Sequence, residues 1–553
     1  MKNWRINLVF FFIVLSGAVI MGRLAYIQII QHDLNKALAQ GQQNDFSVLS
    51  GERGNIFFSN GELLATNIKG RNVYVSSSEV KDKEETAEKL SMVLGLEKED
   101  VLRKLEKNSL YEEIKKNITE EKKEQIKELE LEGVYFKELL LRSYPQKEMA
   151  SQVVGFLGGE QKGQYGLEEY YDEILRGKEE IQKKKKWAIG SFFSEKSDSS
   201  SEGSDIILNI DYNIQYMSEA LLKKSKEELN IDSGQIIVIE PTTGKILALA
   251  HYPNFNPNDY SDIEDFDIFQ NVTTQKLFEP GSGFKPITMA SAINEGKVTP
   301  ETTYVDTGKV KIGKYTIENY ASRVFGERTM TEVLERSINT GAVFAEKSLG
   351  HDLFLKYVDS FGFFELTGID LEGETFSNNT AFKKGYEINF ATASFGQGIE
   401  ITPMQLVKAF TAITNKGKLV KPYLVSKIIA NGETTEITPE ISSREVISPK
   451  TASEITAMLI SVMENGYSKS GKIPGYYVAG KTGTAQVAEG GGYSLDKSWQ
   501  SFIGFAPALD PKFLILVKLD SPETNTAEYS AVPVFKELAK YIIDYWNIPP
   551  DYE

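Results

Sequence analysis

Ser282 and Lys285 stand three residues apart in the run Glu279-Pro280-Gly281-Ser282-Gly283-Phe284-Lys285-Pro286. Pro280-Gly281 predicts a turn, and a helix starting near Ser282 tolerates Pro286 because its first turn has no intrahelical donor to lose. Residues at i and i+3 share one helical face, so a hydroxyl and an amine meet there. Serine is a poor nucleophile until a base removes its proton, and a lysine can do so when burial or a nearby cation lowers its pKa. The helix N-terminus adds positive potential that favours an alkoxide. The pair therefore predicts nucleophilic catalysis by serine with lysine as its base.

Spacing alone does not single out this pair, since Ser78-Glu79-Val80-Lys81 and Ser494-Leu495-Asp496-Lys497 share it in polar, surface-like settings. Its downstream company does. Ser337-Ile338-Asn339 places a small donor–acceptor pair in a stretch that reads as helical, and Lys481-Thr482-Gly483-Thr484 sets a cation and two hydroxyls around a glycine just before strand-like sequence. Ser377-Asn378-Asn379 also matches Ser-x-Asn, in a predicted loop, whereas Lys-Thr-Gly occurs once.

Composition removes rival chemistries. The 553 residues contain no cysteine, so disulfides, thiolate nucleophiles and cysteine-ligated metals are excluded. The three histidines, His32, His251 and His351, are far apart, which argues against a histidine metal site or a Ser-His-Asp triad. No cofactor and no metal are expected. A net charge of −16 argues against electrostatic binding of nucleic acid. The one concentrated basic run, Lys183 to Lys186, reads as a solvated loop.

Elements able to position these motifs follow from periodicity. Gln235 to Ile239 and Ile246 to Ala250 read as a β-hairpin turning at Thr242 to Gly244. Helical patterns cover Ser282 to Glu295, Met330 to Leu349, Pro403 to Ile413 and Lys450 to Asn465; strands follow at Trp499 to Ala506 and Lys512 to Asp520, then a helix at Val532 to Trp546. This order predicts an α/β (α+β) domain with helices packed around one sheet. Earlier in the chain, Gly51 to Asn67 reads as two short strands around the Asn60-Gly61 turn. Lys81 to Glu132 reads as amphipathic surface helices, with Leu102, Leu105 and then Ile114, Ile118 at helical spacing. The serine-rich stretch before Asp205 reads as a linker.

Ile6 to Gly22 is free of charge, and apolar character resumes from Leu24 to Ile30, which is long enough for one bilayer-spanning helix. Lys2 and Arg5 precede it and predict a cytoplasmic N-terminus. The expected organisation is a cytoplasmic tail (1–5), a transmembrane anchor (6–30), an α+β domain (31–204) and a catalytic domain (205–553), both of the latter extracytoplasmic. A cleaved signal peptide ending near Ala37-Leu38-Ala39 is the weaker reading, because the apolar segment is too long and too distant from that site.

Taken in order, Ser282-x-x-Lys285, Ser337-x-Asn339 and Lys481-Thr482-Gly483 resemble the active-site set of the penicillin-binding protein and serine β-lactamase superfamily. Ile237 to Asn258, Phe395-Gly396-Gln397-Gly398 with Thr402-Pro403, and Phe502 to Pro507 are similar to the transpeptidase domain of class B penicillin-binding proteins. Arg53-Gly54-Asn55-Ile56, Gly133-Val134, Arg142, Tyr144-Pro145 and Gly166-Leu167-Glu168 to Gly177 are similar to that family's pedestal (dimerisation) domain. Phe58-Ser59 departs from it, standing where the family usually has Asp-Arg.

The resemblance implies a serine D,D-transpeptidase of bacterial cell wall synthesis. Ser282 attacks the carbonyl of the penultimate D-alanine of a peptidoglycan stem peptide, terminal D-alanine leaves, and an amine on a neighbouring stem takes the acyl group. Lys285 is the implied general base, Ser337 the relay to the leaving amine, and Asn339 the contact to the substrate amide. Lys481 supplies positive potential and helps keep Lys285 neutral; Thr482, Gly483 and Thr484 bind substrate, the two hydroxyls taking its terminal carboxylate. The implied oxyanion hole is the main-chain N–H of Ser282 and of Thr484, each donor typically worth about 3 to 4 kcal/mol. Covalent binding of β-lactams and work with a SEDS-family glycosyltransferase at the membrane are also implied, and the Glu-Pro-Gly-Ser and Ser-Ile-Asn-Thr-Gly forms look division-type rather than elongation-type. A D,D-carboxypeptidase would use the same residues with water as acceptor, and a catalytically silent scaffold or β-lactam sensor would not need them. A β-lactamase lacks an assignable water-activating glutamate here, and a bifunctional protein lacks its glycosyltransferase domain.

Overall fold

The structure is a computed structural model that describes residues 44–50, 52–107, 109, 111–176, 179–185, 202–489 and 492–553. The expected anchor at 6–30 lies outside the described residues; among the described residues no helix is long and apolar enough to cross a membrane. The chain divides into two units, residues 1–52 with 176–203 and residues 53–175 with 204–553.

In the first unit, strands Asn44–Ser50 and Glu179–Lys185 pair antiparallel, with Asn44 opposite Lys185. Lys183 to Lys185 therefore lie in a strand, not in a loop as the lysine run suggested. Pairing is a main-chain property, and an antiparallel partner supplies the ladder bonds without any apolar alternation.

The second unit is built on a five-stranded antiparallel sheet: β1 (Ser233–Ile239), β2 (Ile246–Tyr252), β3 (Ala479–Glu489), β4 (Gly492–Ala506) and β5 (Phe513–Asp520), in spatial order β2-β1-β5-β4-β3. Because strand side chains alternate faces, each strand divides its residues between two cores. Ile236 and Val238 of β1 and Phe513, Ile515 and Val517 of β5 pack with Leu221, Leu222, Phe535, Leu538 and Ile542 on one face. Those residues come from helices α1 (Tyr212–Leu229) and, at the end of the chain, Ala531–Tyr545. Ile237, Ile239, Leu514 and Leu516 face the opposite core, shared with helices α2 (Lys285–Asn294), α3 (Asn339–Leu349), α4 (Pro403–Thr414) and α5 (Pro449–Asn465). The hairpin, the four helix patterns and the ends of the closing strands are where periodicity put them, within a few residues, although β4 begins seven residues before the expected Trp499. The exception is Met330 to Leu349, which is two helices, not one.

A second sheet is assembled from distant segments. Strands Leu63–Val75, Ile56–Phe57, Asp205–Leu208, Val425–Ala430 and Glu433–Glu436 lie side by side, with Glu112–Lys115 and Val134–Ser143 pairing to Leu63–Val75. Asn60-Gly61 makes the expected turn, Gly61 at φ 86°. The region 81–132 has helices Lys83–Leu94, Lys98–Glu106 and Glu120–Glu128. Ile114, however, is in a strand; a left-handed turn at Asn117 then returns Ile118 to the same apolar cluster, which mimics helical spacing. Phe58, the departure from the family pattern, is fully buried and meets the Tyr212 ring edge-on at 5.3 Å. An apolar contact stands where a charged pair was expected.

Candidate active site

Ser282 lies in a 3-10 turn, Gly281–Phe284, that leads directly into α2, where Lys285 is the first residue. The turn packs on β3, whose outer edge has no strand beside it among the described residues. The approach is close enough to require glycine on both sides. A Cβ on Gly281, which has φ 54°, would stand 2.6 Å from the Thr484 carbonyl oxygen, and one on Gly483 would stand 2.7 Å from that of Pro280. Behind the turn, Gly281 N–H donates to the Gly396 carbonyl at 3.0 Å, and Gly398 N–H donates to Glu279 Oε1 at 2.9 Å. The Phe395–Gly398 segment thus braces the turn that carries Ser282.

Ser337 sits in a break between helices Met330–Glu335 and α3. The first helix closes with paired bonds, Ile338 N–H to the Val333 carbonyl (2.9 Å) and Ser337 N–H to that of Leu334 (3.2 Å). This closure puts Ser337 in the left-handed position usually held by glycine, at φ 55°. A non-glycine residue there costs about 1–2 kcal/mol. Asn339 then begins α3. Continuous apolar periodicity through 330–349 concealed the break, and serine does not advertise a left-handed residue.

These pieces converge on two buried amines. Lys285 Nζ lies 3.0 Å from Ser282 Oγ, 2.6 Å from the Ser337 carbonyl, 3.1 Å from Ser337 Oγ and 2.8 Å from Asn339 Oδ1. Lys481 Nζ lies 3.1 Å from the same Ser337 hydroxyl, 3.2 Å from the Thr482 carbonyl and 3.3 Å from its hydroxyl. Both lysines are about 1% exposed. Burial, followed by the neighbouring Lys481 charge, holds Lys285 well below the ordinary lysine value, and burial alone brings Lys481 down to about 7. A neutral amine has two N–H donors and one lone pair. The Ser337 carbonyl and Asn339 Oδ1 are acceptors only, so they take both donors of neutral Lys285 and leave the lone pair for a hydroxyl proton.

Ser282, Lys285, Ser337, Asn339, Lys481 and Thr482 thus form one chain of hydrogen bonds, while Gly483 and Thr484 enter through close main-chain packing. One network was not foreseen from the sequence. The Asp306 carboxylate, 2% exposed, accepts from Thr340 Oγ1 (2.6 Å) and Asn319 Nδ2 (3.0 Å), and Asn319 Oδ1 accepts from Thr340 N–H (3.1 Å). Asn339 Nδ2 donates to the Glu318 carbonyl at 3.0 Å. Together these pin the start of α3 to the segment 303–329. Asp306-Thr307-Gly308 reads in sequence only as a turn.

A hydroxyl 3.0 Å from a buried lysine of lowered pKa, on a turn packed against one strand of an antiparallel sheet, is the geometry that a serine–lysine nucleophilic site requires. The sequence matches the penicillin binding protein transpeptidase domain over residues 234–540 and the penicillin-binding protein dimerisation domain over 48–208. Stage V sporulation protein D of Bacillus subtilis (strain 168) is 33% identical over 528 residues, covering 94% of this chain and 82% of that protein. The peptidoglycan D,D-transpeptidase FtsI of Escherichia coli (strain K12) is 26% identical over 562 residues, covering 99% and 93%. Among solved structures, penicillin binding protein 3 of Mycobacterium tuberculosis complexed with aztreonam shares the fold at TM-score 0.71 and 24% identity, covering 91% of this chain and 98% of that one. The chain belongs to the penicillin-binding protein transpeptidase family.

Proposed function

We propose that the chain is a serine D,D-transpeptidase that cross-links peptidoglycan stem peptides and is acylated by β-lactams at Ser282. The observation that carries the assignment of roles is the bonding of Lys285, whose lone pair is left for the Ser282 hydroxyl once its N–H groups are committed. Ser282 Oγ attacks the D-alanyl carbonyl as its proton passes to Lys285 Nζ. Ser337 Oγ, 3.1 Å from both amines, relays a proton to the departing D-alanine nitrogen. Asn339 holds the substrate amide, and Lys481 with Thr482 and Thr484 takes the terminal carboxylate. An amine of a second stem then reverses the sequence, attacking the ester and returning the proton to Ser282.

Residues 48–208 act as the pedestal. The uncharged stretch within 6–30 anchors the chain, with the N-terminus cytoplasmic and the rest outside, and a SEDS-family glycosyltransferase is its partner. Similarity to FtsI supports a division role. A fluorescent penicillin should label the full chain covalently and leave Ser282→Ala unlabelled; equal labelling of both refutes the assignment of the nucleophile. With a stem-peptide donor, cross-linked dimers support the transpeptidase, whereas release of D-alanine and trimmed stem alone would make it a carboxypeptidase.

A further inference from the structure

Arg336 immediately precedes Ser337, and its guanidinium carbon lies 5.8 Å from the centre of the Tyr467 ring. Arg323 lies 5.5 Å from the same ring and donates from Nη1 to the Tyr467 hydroxyl at 2.9 Å, while also lying 5.8 Å from the Tyr320 ring. Both arginines are exposed. Among the described residues neither makes an ion pair with a carboxylate, although Arg328 in the same segment pairs with Glu332. Two like charges gathered on one ring repel each other unless an anion joins them. The Tyr467 hydroxyl takes one Arg323 donor, and the remaining N–H donors of the two planar forks suit a carboxylate, which a guanidinium grips bidentately.

This cluster is fixed relative to the start of α3. Asn319 Nδ2 donates to the Arg323 carbonyl (3.1 Å) and to Asp306, and Asn319 Oδ1 receives the Thr340 N–H, so one buried side chain registers Arg323 against the start of α3. Ala321 and Ser322 are held at φ 53° and 52°, conformations that non-glycine residues keep only where the surroundings enforce them. A rim this well determined suits recognition better than mere solubility.

We propose that Arg323 and Arg336, braced on Tyr467, form a second anion subsite that binds a carboxylate of the donor stem peptide upstream of the attacked bond, distinct from the terminal carboxylate assigned to Lys481, Thr482 and Thr484. The proposal rests on the peptide-acylating reading above. It is tested with the full chain in detergent and two donor peptides identical except that one internal carboxylate is amidated in the second. The wild type should favour the carboxylate peptide in kcat/KM, and Arg323→Gln with Arg336→Gln should reduce that preference by roughly 10- to 100-fold. Arg336→Lys, which keeps charge but not the fork, should fall between them, and 0.5 M salt should shrink the preference because the groups are exposed. Equal loss for both peptides in the double variant, or no change in their ratio, overturns the subsite. Penicillin labelling is read alongside: absence of labelling in the wild type overturns the acylation reading itself and the subsite with it, whereas labelling with an unchanged peptide ratio overturns the subsite alone.

Discussion

In the proposed mechanism Lys285 must be neutral to accept the Ser282 proton, whereas Lys481 must be charged to attract a carboxylate, and the structure lowers both pKa values. Acylation should therefore slow as pH falls through the depressed Lys285 value, and slow again as pH rises past about 7, where Lys481 loses its proton. Second-order acylation rates across pH 5 to 10 should trace a bell. Lys481→Arg, which does not titrate in this range, should lower the rate but abolish the alkaline limb; a limb that persists would assign it to another group. Lys285→Met should reduce acylation by about 10²–10⁴-fold, the usual share of a positioned base, with the fold retained in circular dichroism. The residue types of this site were legible in sequence because chemistry restricts them. The commitment of both Lys285 donors was not, since it depends on a carbonyl, that of Ser337, which no side-chain pattern reveals.

The elements that deliver these residues are unequal in how they announce themselves. Hairpin β1–β2 and helix α4, which opens with a capping box between Thr402 and Gln405, follow local rules and were readable in advance. The break at Ser337 and the packing of the 3-10 turn against Gly396 depend on tertiary structure, so periodicity missed the first and carries no sign of the second. Two substitutions separate geometry from chemistry here. Ser337→Gly should match or exceed the wild type in thermal stability, since glycine relieves the left-handed strain, yet acylate more slowly for want of its hydroxyl. A variant both slow and unstable would show that the hydroxyl also holds the fold. Gly396→Ala should do the reverse kind of damage: its Cβ would land on the Gly281 carbonyl, displacing the nucleophile turn and lowering both melting temperature and acylation rate. Wild-type rates in that variant would mean the turn is not positioned by this contact.

At the scale of the whole chain, a buried charge cluster stands behind the second sheet. Glu168, fully buried, receives Arg53 Nε and Arg142 Nε at 2.7 Å each, and Arg53 also reaches Asp172 at 2.8 Å. Glu168→Gln would leave buried guanidinium charge uncompensated and should destabilise by about 3–5 kcal/mol, read as a lower denaturant midpoint. A change under about 1 kcal/mol would mean that water or Asp172 takes over. Sequence showed that Arg53, Arg142 and Glu168 belong to one recognisable region, but not that they meet, because pairing across 26 residues for Arg142 and 115 for Arg53 leaves no local trace. The same is true of the sheet they support, in which Ile206 stands between Ile56 on one side and Ile428 on the other. That arrangement sets an order of assembly. Val425–Ala430 leaves the ribosome about 220 residues after Leu208, a wait of roughly 10 to 45 s at about 5–20 residues per second. Until then the main-chain donors and acceptors along one side of Asp205–Leu208 lack their partner strand, so the nascent chain carries an open strand edge for about two-fifths of its synthesis, a natural point for a chaperone to engage.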